Sequence, residues 1–321
     1  MKVSVVLCTY NRCQSLVRAL ESVMASQMPE SVDWEVLVVD NNSKDRTREV
    51  MSEFCLRHPG RVRYLFETQQ GLSNARNAGI HEARGEIIVF TDDDVTVEPT
   101  WLQNLTQPLL ENQCAGTGGR ILLGDFQPPS WLAISGSHNL GGSLVQFDLG
   151  DESLPLDRAP FGASMAFKKS VFDECGGFRT DLGRSGKSLI GNEDTEFGLR
   201  LISKGLPLIY VHSAIVYHPV PTERLTKKYF RSYWFAHGRA LVRQRTDRPS
   251  FWKVPGVYFA EFRRVVRWMN TDDQHWYRKV QGRFFCEMQA LRMLGQIFEC
   301  WNQSLRFRHV RAETGFGKND G

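Results

Sequence analysis

The chain has 321 residues, 41% hydrophobic and 24% charged, enough for one large domain or a domain with an appendage around a sizeable core. That balance excludes a disordered or fibrous chain, and no stretch approaches the roughly 20 apolar residues of a membrane-spanning helix. The net charge of +4 conceals two opposed parts: 20 Lys/Arg stand against 9 Asp/Glu from Pro219 onward and 20 against 27 before it, which predicts different partners for each. Val3 to Leu7 predicts a buried strand, left through Thr9-Tyr10-Asn11-Arg12. Leu16, Leu20 and Val23 then fall at helical spacing, closed by Pro29. Val36 to Val39 gives a second strand ending in Asp40-Asn41-Asn42-Ser43, with Ser43 suited to cap a helix carrying Val50, Met51 and Phe54. Val62 to Phe66 is a third strand, and Leu72 to Ile80 is helical by composition. Ile87-Ile88-Val89-Phe90 is a fourth, running straight into Thr91-Asp92-Asp93-Asp94. The alternation predicts an α/β fold with an open, mostly parallel doubly wound sheet and right-handed crossovers.

In such a sheet the carboxyl ends of the strands share one edge, so Thr9 to Arg12, Asp40 to Asn42 and Asp92 to Asp94 converge on one crevice. Each cluster alone also fits turn chemistry, and three acids in a row also fit a solvated turn. Jointly they favour a nucleotide crevice, where adjacent carboxylates persist most easily around a cation and oxygen ligands suit Mg²⁺ or Mn²⁺. Gly183 to Ser188 resembles the end of a P-loop, but the first glycine would fall at Asp181 and no buried strand precedes it.

Farther on, Trp101, Leu102, Leu105 and Leu109 give a helix, Gly116 to Arg120 starts a strand, and an irregular stretch runs from Pro128 to about Pro160. Phe161 to Phe167 reads as a strand with small residues where another molecule can approach closely. Gly183 to Gly191 has the composition of a mobile segment. Asn192 is suited to cap a helix whose first turn holds Glu193 and Asp194, acids that serve either as dipole complements or as a general base. A last strand, Leu208 to Tyr217, ends in His218-Pro219, and His218 is either structural or a metal ligand. The seven cysteines (Cys8, Cys13, Cys55, Cys114, Cys175, Cys286 and Cys300) have no CxxC pair and predict reduced thiols. With an amino terminus too short for a signal peptide, the expectation is a cytoplasmic protein, peripheral on the inner face of a membrane.

Val5 to Arg12, Val38 to Ser43, Ala75-Arg76-Asn77 and Thr91 to Asp94 resemble the family 2 glycosyltransferases of the GT-A fold, over residues 1 to about 220. One slot departs from the usual pattern, with Cys8 where many relatives have Pro. The resemblance implies a metal-dependent inverting transfer of sugar from a nucleotide diphosphate donor, a UDP-sugar, to a glycan or lipid-linked hydroxyl. By the same resemblance Thr9, Tyr10, Arg12, Asp40, Asn42 and Arg76 contact the nucleotide, with Asp92 and Asp93 near ribose and phosphate. Asp94 and His218 hold Mn²⁺ or Mg²⁺, and Asp194 is the catalytic base. Two alternatives stand beside it: a nucleotidyltransferase making nucleotide sugars, and a catalytically silent nucleotide-sugar binding protein.

Residues 221–321 form a basic, aromatic helical extension with three apolar stripes. They run through Tyr229, Tyr233, Ala236 and Ala240; through Val254, Tyr258, Phe262, Val265 and Met269; and through Phe284, Met288, Leu291, Leu294 and Phe298. Amphipathic helices either cover a core or, with this much Arg and Trp, lie in an anionic membrane interface. No nucleic acid is expected, since no recognised module accompanies the charge.

Overall fold

Runs of Val, Ile and Phe suit strands covered on both faces, and four such runs open the molecule as parallel neighbours. The computed structural model describes residues 2–186, 188–245 and 280–314, together with residues 256, 259, 260, 262, 263 and 266. Strands β1 (Val3–Thr9), β2 (Trp34–Asp40), β3 (Val62–Phe66) and β4 (Ile87–Asp92) lie in the order β3-β2-β1-β4. Thr9 pairs with Asp40 and Cys8 with Asp92, so the polar ends of three strands finish level on one edge. Helices α1 (Cys13–Met24), α2 (Thr47–Arg57) and α3 (Leu72–Glu82) make the crossovers, burying Leu16, Leu20 and Val23, then Met51 and Phe54, then Ala75 and Gly79. A Cβ at Gly79 would collide with Val6, so α3 lies close on β1. Ser43 does not cap α2: its Oγ accepts the Asn11 N–H at 2.8 Å, and Asp45 receives the Thr47 N–H at 3.1 Å instead.

Beyond β4 come β5 (Thr96–Val97), α4 (Trp101–Leu110), β6 (Gly116–Leu123), β7 (Leu154–Pro155), β8 (Met165–Lys168), α5 (Lys169–Cys175), α6 (Glu193–Ser203) and β9 (Leu208–His218). Here the sheet turns mixed: β8 inserts antiparallel between β4 and β6, β9 runs parallel to β6, and β5 and β7 pair antiparallel with β9. A register shift after Gly119 resets β9 so that His218 pairs with Leu123. The strand expected from Phe161 starts only at Met165, because residues 161–164 are taken up by other partners. Thr91 Oγ1 donates to the Ala163 carbonyl at 3.0 Å, and Trp101 Nε1 donates to Ser164 Oγ at 2.9 Å.

The chain divides into two compact units, the first comprising Met1–Gln127, Gly141–Lys187 and Glu193–Thr222, the second Pro128–Leu140, Ser188–Asn192 and Glu223–Gly321. The second is built on α7 (Lys227–Arg243) and α8 (Val280–Thr314). Thr226 caps α7, accepting the Tyr229 N–H at 3.2 Å. Gly238 faces the Arg292 carbonyl and Gly295 the Phe235 carbonyl so closely that a Cβ at either would clash. Part of the basic charge is spent internally, since Arg239 and Arg243 donate to the buried Glu299 at 2.8 and 2.7 Å. Asn192 does not cap α6: its backbone has φ +71°, where a cap needs extended backbone, and its side chain bonds Gln244 and His237 at 3.2 Å. Of the stripe through Val254, Tyr258, Phe262, Val265 and Met269, all but Phe262 lie outside the described residues.

At the opposite end of the strands from the acids, Glu35 is fully buried in β2 and accepts from Ser4 Oγ at 2.7 Å, the Arg84 N–H at 2.9 Å and Arg63 Nη1 at 2.9 Å. Burial alone would raise its pKa, but these donors outweigh burial and hold it below the usual carboxylate range. A carboxyl depressed in the folded state contributes stability above its unfolded pKa of about 4.3, and that contribution is lost as pH falls through the folded value. Glu35→Gln is therefore expected to lose about 1.5–3 kcal/mol at pH 7. Its urea midpoint should fall less than wild type's on acidification from pH 5 to 3, whereas parallel pH profiles would contradict the assignment.

Candidate active site

β4 ends at Asp92 and the chain turns through Asp93 and Asp94, which brings the outer two acids together and sets the middle one against β1. Asp93 turns toward β1, where Thr9 Oγ1 donates to its Oδ2 at 2.7 Å. Asp92 and Asp94 turn toward His218 at the end of β9, and one ligand atom from each of the three lies within 4.8 Å of the others. Asp94 Oδ1 is 3.7 Å from His218 Nε2, and His218 is 2% exposed. Arg12, from the loop after β1, donates through one Nη1 to Asp93 Oδ1 at 3.0 Å and Asp94 Oδ2 at 2.6 Å.

A second guanidinium closes the other side of the acids. Arg76, in the first turns of α3, is buried, donates to Glu193 Oε1 at 2.7 Å and stands 3.7 Å from Asp92 Oδ1. It lies over the rings of Phe90 and Phe178, 5.9 and 5.5 Å from their centroids. Burial works against its charge, but Glu193, Asp92 and Asp194 prevail and raise its pKa. The space for it depends on Gly162, where a Cβ would collide with the guanidinium. The Gly162 N–H also donates to Asp194 Oδ2 at 3.0 Å, while Asp194 Oδ1 accepts the Thr195 N–H at 2.7 Å. Asp194 is thus held at both oxygens in the first turn of α6, one residue from Glu193.

Burial governs the titration here. It pushes Asp93 up to about 7, helped by the neighbouring acids and opposed by Arg12 and Thr9. It likewise raises Asp92, against Arg76, and raises Glu193, reinforced by Asp194. The Cys8 thiol is pushed up to about 12 by burial, which excludes it as a thiolate nucleophile at neutral pH. Two carboxylate oxygens, from Asp92 and Asp94, with the imidazole nitrogen of His218 are a fitting donor set for one divalent cation.

The loops after β1 and β2 are stitched together. The Lys44 N–H donates to Asn11 Oδ1 at 2.7 Å and the Cys13 N–H to Asp45 Oδ2 at 3.0 Å, with Asn11 and Asn42 at φ +53° and +67°. Asp40 is buried, accepting from Tyr64 Oη at 2.8 Å and the Ser43 N–H at 2.9 Å. Asn42 accepts from Lys44 Nζ at 2.8 Å, and Tyr10 is exposed. Of the residues singled out in the sequence, Thr9, Arg12, Asp93 and Asp94 are bonded together, Arg76 pairs with Asp92, and Asp92 stands within 4.8 Å of Asp94 and His218, so the seven form one cluster, with Asp194 next to the Arg76 partner Glu193. Asp40, Asn42 and Tyr10 border that cluster without bonding to its acids. Asp92, grouped in the sequence reading with the nucleotide, stands beside Asp94 and His218. Gly162 and Tyr64 were not singled out; the run Phe161-Gly162-Ala163-Ser164 did signal a close approach, and the approaching group is Arg76. The glycine-rich segment starts beside α3, with the Leu72 N–H donating to the Arg184 carbonyl at 2.9 Å and, just before the segment, the Leu182 carbonyl accepting from Ser73 Oγ at 2.8 Å.

Comparison with known proteins agrees with this geometry. Residues 4–176 match the profile of the family described as Glycosyl transferase family 2. The chain is 28% identical over 256 residues to a glucosyl-dolichyl phosphate glucuronosyltransferase of Haloferax volcanii, covering 75% of this chain and 77% of that one. Among solved structures it resembles a Pyrobaculum calidifontis mannosyltransferase in complex with GDP-Man and Mn²⁺, with TM-score 0.56 and 17% identity over 99% of this chain and 76% of that one. It also resembles a GalNAc transferase with UDP, GalNAc and Mn²⁺, with TM-score 0.54 and 19% identity over 76% of this chain and 52% of that one. These two likenesses establish the GT-A fold.

Removing Arg76 leaves Glu193 buried without its counter-charge. Arg76→Met is expected to cost about 3–5 kcal/mol at pH 7. Because a raised carboxyl binds protons better folded than unfolded, stability of the variant should recover as pH falls from 7 to 5. Urea unfolding at the two pH values checks this, and a pH-independent loss would show that Glu193 is not the group left exposed to the deficit.

Proposed function

The chain belongs to glycosyl transferase family 2 and is a glycosyltransferase, and from that premise we propose that it moves a sugar from a UDP-sugar to a glycan or lipid-linked hydroxyl, inverting the anomeric centre. The observation that carries the reading is the sharing of Arg76 between Asp92, beside Asp94 and His218, and Glu193, beside Asp194. A cation-holding cluster for a diphosphate and a positioned carboxylate for an acceptor thereby stand on either side of one buried guanidinium.

In this reading Tyr10, Asp40 and Asn42 border the nucleoside, while Thr9, Arg12, Arg76, Asp92 and Asp93 serve ribose and phosphates. A bound Mn²⁺, held by Asp94 and His218 with Asp92, supplies the charge that stabilises the departing diphosphate. The nitrogen donor favours Mn²⁺ over Mg²⁺, which prefers oxygen ligands, and Mn²⁺ in both structural neighbours supports the same choice. Asp194 accepts the acceptor's hydroxyl proton as that oxygen bonds the anomeric carbon and the bond from that carbon to the diphosphate oxygen breaks. Glu193 is buried and bonded to Arg76, so it is engaged where a double displacement would need a nucleophile. This supports single displacement and hence inversion. The dolichyl phosphate in the name of the Haloferax relative supports a lipid-linked acceptor.

Among the described residues no helix is long and apolar enough to cross a membrane. Leu294, Phe298 and Trp301 nonetheless recur at helical spacing along α8 and are 41%, 48% and 54% exposed, which supports a peripheral position on an anionic surface.

Turnover, thermal shift, product configuration and vesicle sedimentation test the reading. Asp194→Asn should lower kcat by about 10²–10⁴ while leaving the Mn²⁺-dependent thermal shift with UDP intact. Product of unchanged anomeric configuration would overturn inversion, and a stronger response to GDP or CDP would overturn the choice of UDP. Sedimentation with phosphatidylserine-containing vesicles should be salt-sensitive and fall when Phe298 and Trp301 are changed to Ser. Equal sedimentation of wild type and variant would remove α8 as the contact.

A further inference from the structure

One oxygen of Asp94 carries a cationic side chain. Arg12 Nη1 lies 2.6 Å from Asp94 Oδ2, on a carboxylate that the proposed metal site also requires. The three partners differ in freedom. The side chains of Asp93 and Asp94 are 7% and 11% exposed, and Asp93 is further fixed by Thr9, whereas the Arg12 side chain is 42% exposed. If anything at this junction moves, it is the guanidinium. A monovalent cation held on one oxygen of Asp94 and a divalent cation gathered from Asp92, Asp94 and His218 would stand within a few ångströms of each other and repel.

We propose that Arg12 and the divalent cation occupy Asp94 in alternation: without metal Arg12 neutralises the carboxylate, and metal arrival displaces it from Asp94 while Asp93 retains it. This rests on the metal site assigned above. Asp93 then acquires a definite task. It is bonded to Thr9 and stands outside the group of Asp92, Asp94 and His218, yet bonds the same Nη1 at 3.0 Å, so it anchors Arg12 beside the site after Asp94 lets go. The released face of the guanidinium is left next to the cation, where a donor's diphosphate brings the negative charge that allows the two cations to stay together. Metal alone and Arg12 oppose one another, and metal with diphosphate reconciles them. The alternative, simultaneous binding with Mn²⁺ on Asp94 Oδ1 and Arg12 kept on Oδ2, gives the opposite prediction.

The test titrates Mn²⁺ alone into the metal-free protein at pH 7, reading free Mn²⁺ by electron paramagnetic resonance. Arg12→Gln should bind Mn²⁺ at least tenfold more tightly than wild type, and Arg12→Lys, which keeps a cation on the loop, should stay within about threefold of it. Adding Asp94→Asn to Arg12→Gln should abolish the gain, tying it to this site. With Mn²⁺ present, UDP should bind Arg12→Gln at least tenfold more weakly, the reverse sign, which a merely structural role for Arg12 would not produce. Unchanged or weaker Mn²⁺ binding by Arg12→Gln, with Asp94-dependent binding by wild type, overturns the alternation and leaves the metal site standing. Absence of Asp94-dependent Mn²⁺ binding in every form overturns the metal site itself.

Discussion

Glu193 and the strand-end Asp92 stand together at the rim of the sheet because the buried Arg76 lies between them. Desolvation raises Asp92 and Glu193, and a buried cation is the least expensive way to keep either of them charged. Arg76 serves both, at 3.7 and 2.7 Å, and so joins a strand end to the first turn of a helix more than 100 residues away in sequence. Its own position depends on the absence of a side chain at Gly162, whose N–H in turn orients Asp194. Four features that sequence separates (α3, β4, the turn before β8 and α6) thereby meet at one charge.

The sheet makes this meeting possible by changing direction. Parallel strands β1 to β4 bring their polar ends to one edge, and an all-parallel continuation would have kept adding crossover helices. Insertion of β8 antiparallel to β4 instead brings the turn at residues 161–164 alongside the ends of β4, and the register shift in β9 delivers His218 to the same edge. The far end of the sheet is closed by a different buried carboxylate, Glu35, with its own arginine. The two ends therefore respond to acid oppositely, Glu35 being held below the usual carboxylate range and Asp93 above it.

The strands and the convergence of Thr9, Asp40 and Asp92 were legible because parallel strands with apolar runs have level ends, and periodicity reveals the runs. What sequence withheld was partnership. Nothing local indicates that Arg76 serves Glu193, or that Arg12 reaches Asp94, since those distances are set by how α6 and the loop after β1 dock. The helix caps expected at Ser43 and Asn192 failed for a related reason: both side chains found tertiary partners, Asn11 for one and Gln244 with His237 for the other, that outcompeted a local bond. The strand expected from Phe161 lost its first residues to side-chain donors that a hydrophobic pattern cannot register.

The paired loops carrying Asn11 and Asn42 have a thermodynamic meaning of their own. Both asparagines sit in the left-handed region, and backbone N–H groups of each loop are bonded to side chains of the other. Fixing a residue's backbone costs about 1–2 kcal/mol in conformational entropy, and these loops bear that cost when the chain folds. A ligand arriving at this rim meets a wall already set, so little of its binding free energy is diverted to ordering the protein there. Discrimination by such a wall would act through shape, because the bonds between the two loops oppose any rearrangement that accommodates a poor fit.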